Sequence, residues 1–277
     1  MGWVCGSKIG CSRTKSQTPQ EVAGTRGRPV YCAVPSSKAT IVVSDAHLSE
    51  DSGDTCAAFH RFLEAVPDLG DHLLINGDLF EFWFTYRSVI PRAVFPTLAA
   101  LARVRQAGVR LTVTGGNHDR WGAGFWKDEL DAEFYCGPVE LELAGWTSWI
   151  CHGDGIVELD STGRLMHRIT AHPFTAKAFH LIHPDLAFWM VRRLSLHLAT
   201  RRHDESIVAR AADAQAKYAK RMLDDRRDLA LVVFGHTHSR ALEPVADKRW
   251  YLNPGAWIDG RRYALISPEG PTLHEFP

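Results

Sequence analysis

Five short stretches of this chain carry metal-type donors, four of them beside glycine. They are Ser44-Asp45-Ala46-His47, Gly77-Asp78, Gly116-Asn117-His118-Asp119, His152-Gly153-Asp154 and Gly235-His236-Thr237-His238. Carboxylate and carbonyl oxygens suit hard divalent cations, and imidazole adds affinity for Mn, Fe or Zn. Two such ions ~3.5–4 Å apart can clamp both the attacking and the leaving oxygen of a phosphoryl transfer. Bare dications repel, so a pair needs an anion between them. Asp78, alone in its loop, is the natural bridge. Glycines at 77, 116, 153 and 235 would let the backbone turn sharply beside the ions. Each piece has a plain alternative: Asp45 as a helix cap, Asn117 as a turn residue, His152 as a satisfied core histidine. Five pieces together weigh against coincidence.

The elements that must position them follow a repeating pattern of strand, then polar loop. ATIVVSDAH from Ala39 reads as a buried β-branched strand, and HLLINGDLF, VRLTVTGGNHD and ALVVFGHTH read as further strands, each ending in one of these loops. Residues 139–151 predict a hairpin turning at Gly145 and running into His152. WYLNPGAW and RRYALIS predict two late strands. Helical spacing marks 55–66, with Pro67 as its stop, and 91–107, opened by Pro91. Ligands of α/β sheets bind at the carboxyl ends of strands, and here five strand ends carry metal-type residues. Residues 156–227 hold no strand-like run. Pro173 and Pro184 sit near the starts of apolar helical stretches, and a third helix is expected at roughly 205–225. This region reads as a helical insert over the site.

The 277 residues are 45% hydrophobic and 23% charged, which fits a globular protein of one large domain. The formal net charge of zero conceals an asymmetry. Residues 1–38 are net +5 and residues 160–227 net +6, leaving the rest at net −11. A basic insert beside an acidic body suggests an anionic substrate or membrane surface. An acidic body argues against a nucleic-acid groove. The six cysteines show no CxxC pair, so a reduced, cytoplasmic chain is expected. No run approaches the ~18 apolar residues of a membrane span. Residues 1–38, rich in Ser, Thr, Gly and Pro, read as a disordered tail before a domain at 39–277. His60, His72, His203 and His274 read as surface residues.

Taken in order, the five loops resemble the calcineurin-like metallophosphoesterase pattern DxH, GD, GNH(D/E), HGD and GHxH over roughly residues 39–267. The resemblance implies an α/β fold: a two-sheet β-sandwich flanked by helices, with a helical lid insertion. It implies one metal on Asp45, His47, Asp78 and His238, and another on Asp78, Asn117, His152 and His236. The ions, Mn²⁺ by preference with Fe or Zn as alternatives, would share a hydroxide that attacks phosphorus in line. His118 would protonate the leaving oxygen or steady its charge, with Asp119 orienting the ring.

GDLFEFW, the HGD loop and the helical insert resemble one branch in particular, the UDP-2,3-diacylglucosamine pyrophosphatases of lipid A synthesis. That implies cleavage of an acylated sugar nucleotide to UMP and an acylated glucosamine 1-phosphate, at the cytoplasmic face of the inner membrane. Phe174, Phe179, Leu186, Trp189, Met190, Val191 and Leu194 supply apolar lid surface. Arg120, Trp189, Arg192 and Arg193 are the expected substrate contacts. One departure is plain: those enzymes carry Arg after the metal-binding Asn, and this chain has His118. The alternatives are a phosphodiesterase or phosphatase acting on soluble nucleotides or phosphoproteins, a nuclease, and a scaffold that has lost its chemistry. None of the expected ligands is missing, which weighs against the last.

Overall fold

Strand β1 (Thr40–Val43) shows how the core is divided. Its alternate residues Ile41 and Val43 face one apolar cluster and Val42 another, as the two-residue period of a strand requires. In this computed structural model the described residues are 38–86, 88–156, 167–169, 172–199 and 205–277. The expected disordered tail, apart from Lys38, lies outside them, as do the side chains of Arg192 and Leu194.

After β1 come α1 (Gly53–Leu69), β2 (His72–Asn76), α2 (Phe95–Gln106), β3 (Arg110–Thr114), α3 (Ala123–Leu130) and β4 (Glu133–Tyr135). The hairpin β5 (Val139–Leu143) and β6 (Trp146–Ile150) follows. The described residues of the insert include α4 (Pro173–Phe179), α5 (Pro184–Ala199) and α6 (Glu205–Asp225). The chain ends with β7 (Leu231–Val233), β8 (Ala241–Ala246), β9 (Arg249–Asn253), β10 (Arg262–Ser267) and β11 (Gly270–Glu275). Two sheets result, ordered β11-β10-β1-β2-β3-β4 and β5-β6-β7-β9-β8.

The layers follow from the three apolar clusters. Val42, Leu74, Leu143, Ile150, Val233, Leu252 and Ile266 fill the space between the sheets. Phe59, Phe62 and Val66 of α1, with Leu98 and Leu101 of α2, cover the far face of the first sheet. Ala219 and Leu223 of α6 cover the far face of the second, against Trp149, Val232 and Phe234. This is the expected α/β two-sheet sandwich flanked by helices. Within it β1, β2, β3 and β4 run parallel, and so do β6, β7 and β9. Each sheet therefore delivers a set of carboxyl ends to one rim.

Two readings need correction. Pro67 does not stop α1, which runs on to Leu69. Only one intrahelical bond is lost so close to the end, and the helical ladder resumes past it, with the Gly70 N–H donating to Val66 O at 3.1 Å. His72 is not a surface residue; it is buried on the central strand β2. Its Nε2 pairs with Thr112 Oγ1 at 2.9 Å, and Arg110 donates to Nδ1 at 2.9 Å. Burial, reinforced by the Arg110 charge, drives its pKa down to about 3.

Candidate metal centre

The five loops leave the carboxyl ends of β1, β2, β3, β6 and β7, and the structure brings them to one place. Asn76, the last residue of β2, ties them together. Its side chain donates to Cys151 O at 3.2 Å and accepts from Thr114 Oγ1 at 2.8 Å. Its carbonyl accepts from Ser44 Oγ at 2.9 Å and pairs with His152 Nδ1 at 2.9 Å. One buried amide thus spans both sheets, and a fixed rim is what a multi-loop site needs.

The loops are tightly bent. Asp45, His47, Asp78, His236 and His238 all have positive φ, between 46° and 67°. Left-handed backbone costs non-glycine residues free energy and persists only where the surroundings enforce it. Backbone bonds between loops do this: Asp45 N–H to Gly77 O at 3.1 Å and His47 N–H to Asp78 O at 3.0 Å. Asp45 also accepts the His236 N–H at 3.0 Å. Gly116 lies so close to Asp78 that a Cβ there would stand 2.8 Å from the Asp78 nitrogen and nearer still to Oδ1.

Among the described residues the donors form three groups: Asp45 with His47 and His238, Asp78 with His152 and His236, and His47 with Glu81 and His118. In each, the ligand atoms lie within 4.8 Å of one another. Asp78 links the groups. Its Oδ1 accepts the His118 N–H at 3.0 Å. Its Oδ2 lies 3.2 Å from His152 Nε2 and 3.8 Å from His47 Nε2. Asp45 Oδ1 stands 3.6 Å from His238 Nε2 and 3.9 Å from His152 Nε2. Donors bound at ~2.0–2.2 Å to one tetrahedral or octahedral cation are themselves about 3–3.6 Å apart.

Two buried ring nitrogens facing Asp78, His47 Nε2 and His152 Nε2, have no hydrogen-bond partner, and neither does the buried Asn117 Oδ1 of the Gly116–Asp119 loop. Orphaned buried polar atoms are costly, and two ring nitrogens meeting at one carboxylate fit a cation. The other ring nitrogens are anchored. Glu81 Oε2 lies 3.1 Å from His47 Nδ1, and Asp259 Oδ2 lies 2.9 Å from His238 Nδ1. Such partners fix a ligating imidazole with Nε2 inward. The local charges agree. Burial alone would raise the Asp78 carboxyl, yet the imidazoles of His152, His118 and His47 hold it well below the usual range. Burial pulls His152 down, yet the Asp78 charge drives it well up. Asp78 demands positive charge at the point where the imidazoles meet.

Asp119 takes a different place from the one expected. Its carboxylate accepts three backbone N–H groups, from Gly116 at 2.8 Å, Leu79 at 2.7 Å and Asp78 at 3.1 Å. It clamps two loops together, and the His118 ring is held instead by Nδ1 against the Glu81 carbonyl. Burial, followed by the Asp78 charge, raises the Asp119 carboxyl to about 6. Arg120 also departs from expectation. Its guanidinium pairs with Asp154, which meets His167 Nδ1 at 3.0 Å. Arg120 is committed to an ion pair inside the protein rather than presented as a phosphate clamp.

The insert is attached beside the Asp78 loop through rings. Phe82 packs on Phe179 and Phe188, and Phe84 and Trp121 pack on Phe179. Tyr86 donates to Ile182 O at 3.1 Å. On the outside of α5, Leu186, Trp189 and Met190 are exposed. Arg193 lies 5.9 Å from the Trp189 ring centroid. Phe174 of α4 is exposed as well. No helix among the described residues is long and apolar enough to cross a membrane. From α6, the fully buried Gln215 donates to Gly235 O at 3.1 Å. Its Oε1 accepts from Tyr251, Asn253 and Thr237 at 3.0 to 3.2 Å. Gln215 thus fixes the His236–His238 loop from the insert side.

Sequence reasoning missed Asn76, Glu81, Gln215 and Asp259. Glu81 and Asp259 gave a weak signal, each an acid within a few residues of a metal-type or Gly-rich loop.

A model of the calcineurin-like phosphoesterase family matches residues 39–240. The UDP-2,3-diacylglucosamine hydrolase of Porphyromonas gingivalis is 26% identical over 249 residues, covering 83% of this chain and 94% of that protein. The protein of the same name from Ralstonia nicotianae is 28% identical over 227 residues, 76% of this chain and 81% of that one. Among solved structures, Vacuolar Protein Sorting 29 from Cryptosporidium parvum aligns over 87% of this chain and 92% of its own, with a TM-score of 0.44 and 12% identity.

Proposed function

The chain belongs to the calcineurin-like phosphoesterase family and is a phosphoester-hydrolysing enzyme, and on that premise we propose a two-cation hydrolase of an acylated sugar nucleotide. The observation that carries the reading is Asp78 Oδ2, set between His152 Nε2 and His47 Nε2, two buried ring nitrogens that lack hydrogen-bond partners. Asp45, His47, Asp78 and His238 would hold one divalent cation, and Asp78, Asn117, His152 and His236 the other. Mn²⁺ suits this mixed N/O set, with Fe and Zn as alternatives. When bound, the cations supply charge for the phosphoryl oxygens and hydroxide at neutral pH.

The protein's own groups do the rest. Asp45 and Asp78, fixed by backbone N–H groups, keep the cage shaped before substrate arrives. His118, with Nδ1 on the Glu81 carbonyl, holds at Nε2 the proton that the leaving oxygen takes up. Asp119 acts as a positioning residue through the two loops it clamps.

The substrate class is UDP-2,3-diacylglucosamine or a close analogue, giving UMP and an acylated glucosamine 1-phosphate. Supporting it are the names of the relatives, the exposed apolar row of Leu186, Trp189 and Met190, and Arg193 beside it. The insert serves as a lid for acyl chains and brings the enzyme to the cytoplasmic face of a membrane. Domain boundaries at 39–277, with the insert at 156–227, belong to the same proposal.

A substrate panel with added Mn²⁺ tests it: UDP-diacylglucosamine, UDP-glucosamine, simple nucleotides and single-stranded DNA. UMP release is expected from the acylated substrate far above the others. Equal turnover of the unacylated sugar nucleotide would defeat the lipid assignment and leave the hydrolase standing. In the same assay Asp78→Ala should retain little metal and no turnover.

A further inference from the structure

Glu81 is the one acid of the three donor groups that the proposed ligand set leaves unused. It follows Asp78 by three residues and is partly open to solvent. Its N–H donates to Leu48 O at 3.1 Å, which pins it beside the loop carrying His47. From there it meets two rings by two routes. The carboxylate reaches His47, with Oε2 3.1 Å from Nδ1. The main-chain carbonyl meets His118 Nδ1, while Oε1 stands farther from that atom, at 3.9 Å. The two rings lie edge to face with centroids 4.8 Å apart.

An imidazole can ligate a cation only through a nitrogen that keeps its lone pair. A carboxylate on Nδ1 places the proton there and turns Nε2 to the metal. His47 needs this, because its Nε2 is buried, faces Asp78 and has no hydrogen-bond partner. His152 obtains the same service from the Asn76 carbonyl. We infer that Glu81 is a positioning residue: its side chain sets His47 for cation binding, and its main chain seats His118 alongside. This rests on the two-cation reading above. Because different atoms serve the two rings, side-chain substitution separates the two duties.

The test is Mn²⁺ binding to the full chain by calorimetry and metal analysis, with melting of the metal-free proteins alongside. Wild type should take up two Mn²⁺. Glu81→Ala should bind one of them about 10- to 100-fold more weakly, as loss of such partners generally does. Glu81→Gln should recover most of that affinity, since its amide oxygen still accepts from Nδ1–H. Metal-free melting should be alike in all three. Unchanged affinity in Glu81→Ala would overturn the inference and leave two-cation binding intact. So would a Glu81→Gln variant as weak as Glu81→Ala, or weakened binding that merely tracks a lower metal-free melting point. Wild type that takes up no Mn²⁺ would remove the two-cation reading itself, and the inference with it.

Discussion

Gly116→Ala would add a single methyl where the structure has little room. The new Cβ would lie 2.8 Å from the Asp78 nitrogen and from its Cγ, and closer to Oδ1. Nonbonded carbon contacts settle at ~3.5 Å or more, so Asp78 or the Gly116 loop must retreat by at least about 0.7 Å, and Oδ1 by more. Gly116 does not have positive φ, so the backbone itself tolerates alanine and the effect is steric. Neither side can yield cheaply. The Gly116 N–H is held by Asp119 at 2.8 Å, and Asp78 is held by the His118 and Asp119 bonds. Overpacking of this kind costs about 1–3 kcal/mol. At roughly 2–4 °C per kcal/mol for a domain of this size, melting should fall by about 2–12 °C. The site should suffer far more, since misplacement by about 1 Å can cost on the order of 100-fold in rate. Turnover of a chromogenic phosphodiester and bound Mn²⁺, measured below the melting transition, give the answer. Wild-type kcat and metal content in a folded Gly116→Ala protein would refute the placement of Asp78 at the centre of the cage.

Other perturbations separate the neighbouring roles. Asp119→Asn exchanges an oxygen that accepts backbone N–H groups for an amide that donates, so it should destabilise by about 1–3 kcal/mol in chemical denaturation. An unchanged midpoint would show that the clamp is unimportant. His118→Ala should keep its Mn²⁺ and slow esters with poor leaving groups by about 10²–10⁴-fold, with smaller effect on good ones; equal slowing of both would remove the proton-donor role. Trimming Trp189 and Met190 to Ala should raise KM for an acylated substrate about tenfold or more, given ~1.5–3 kcal/mol per buried apolar side chain, and leave a chromogenic diester unaffected. His72 predicts an acid-side loss of stability. The unfolded chain protonates this imidazole near its ordinary pKa of 6.5, the folded one only near 3. The unfolded state therefore binds the extra proton between those values, and stability should fall by about 1.4 kcal/mol per pH unit as pH drops from 6.5 toward 3. His72→Gln should flatten that slope; an unchanged slope would mean that other groups govern it.

The strands that deliver the site were legible because each is a short aliphatic run ending in polar residues. HLLIN read as a strand and is one, although His72 at its head is buried rather than exposed. Pro173 and Pro184 begin their helices as expected. Other elements escaped. β4 has three residues, too few for a period to show, and β8 carries Pro244 beside an irregular register. β11 lies at the sheet edge, and half-exposed edge strands lack a continuous apolar signal. At the site, sequence order identified which donors assemble, because each sits at a strand end. It could not show how an acid two residues along is spent. Asp119 binds amides contributed by Leu79 and Asp78, about 40 positions away. Glu81 and Asp259 acquire meaning only once His47 and His238 fold against them. Such pairings depend on loop geometry, and local pattern does not encode it.

The buried amide of Gln215 makes the helical region less modular than its position in the chain suggests. Exchanging this helical region with that of a relative invites cutting at both edges of the helices. A chimera that replaces α6 wholesale would take away the prop beneath the Gly235 carbonyl and Thr237. The recipient would then lose grip on a loop far from the exchanged surface. A workable junction must fall before residue 215 or carry a glutamine into register there, because these helices and the loop beneath them hold together as one piece.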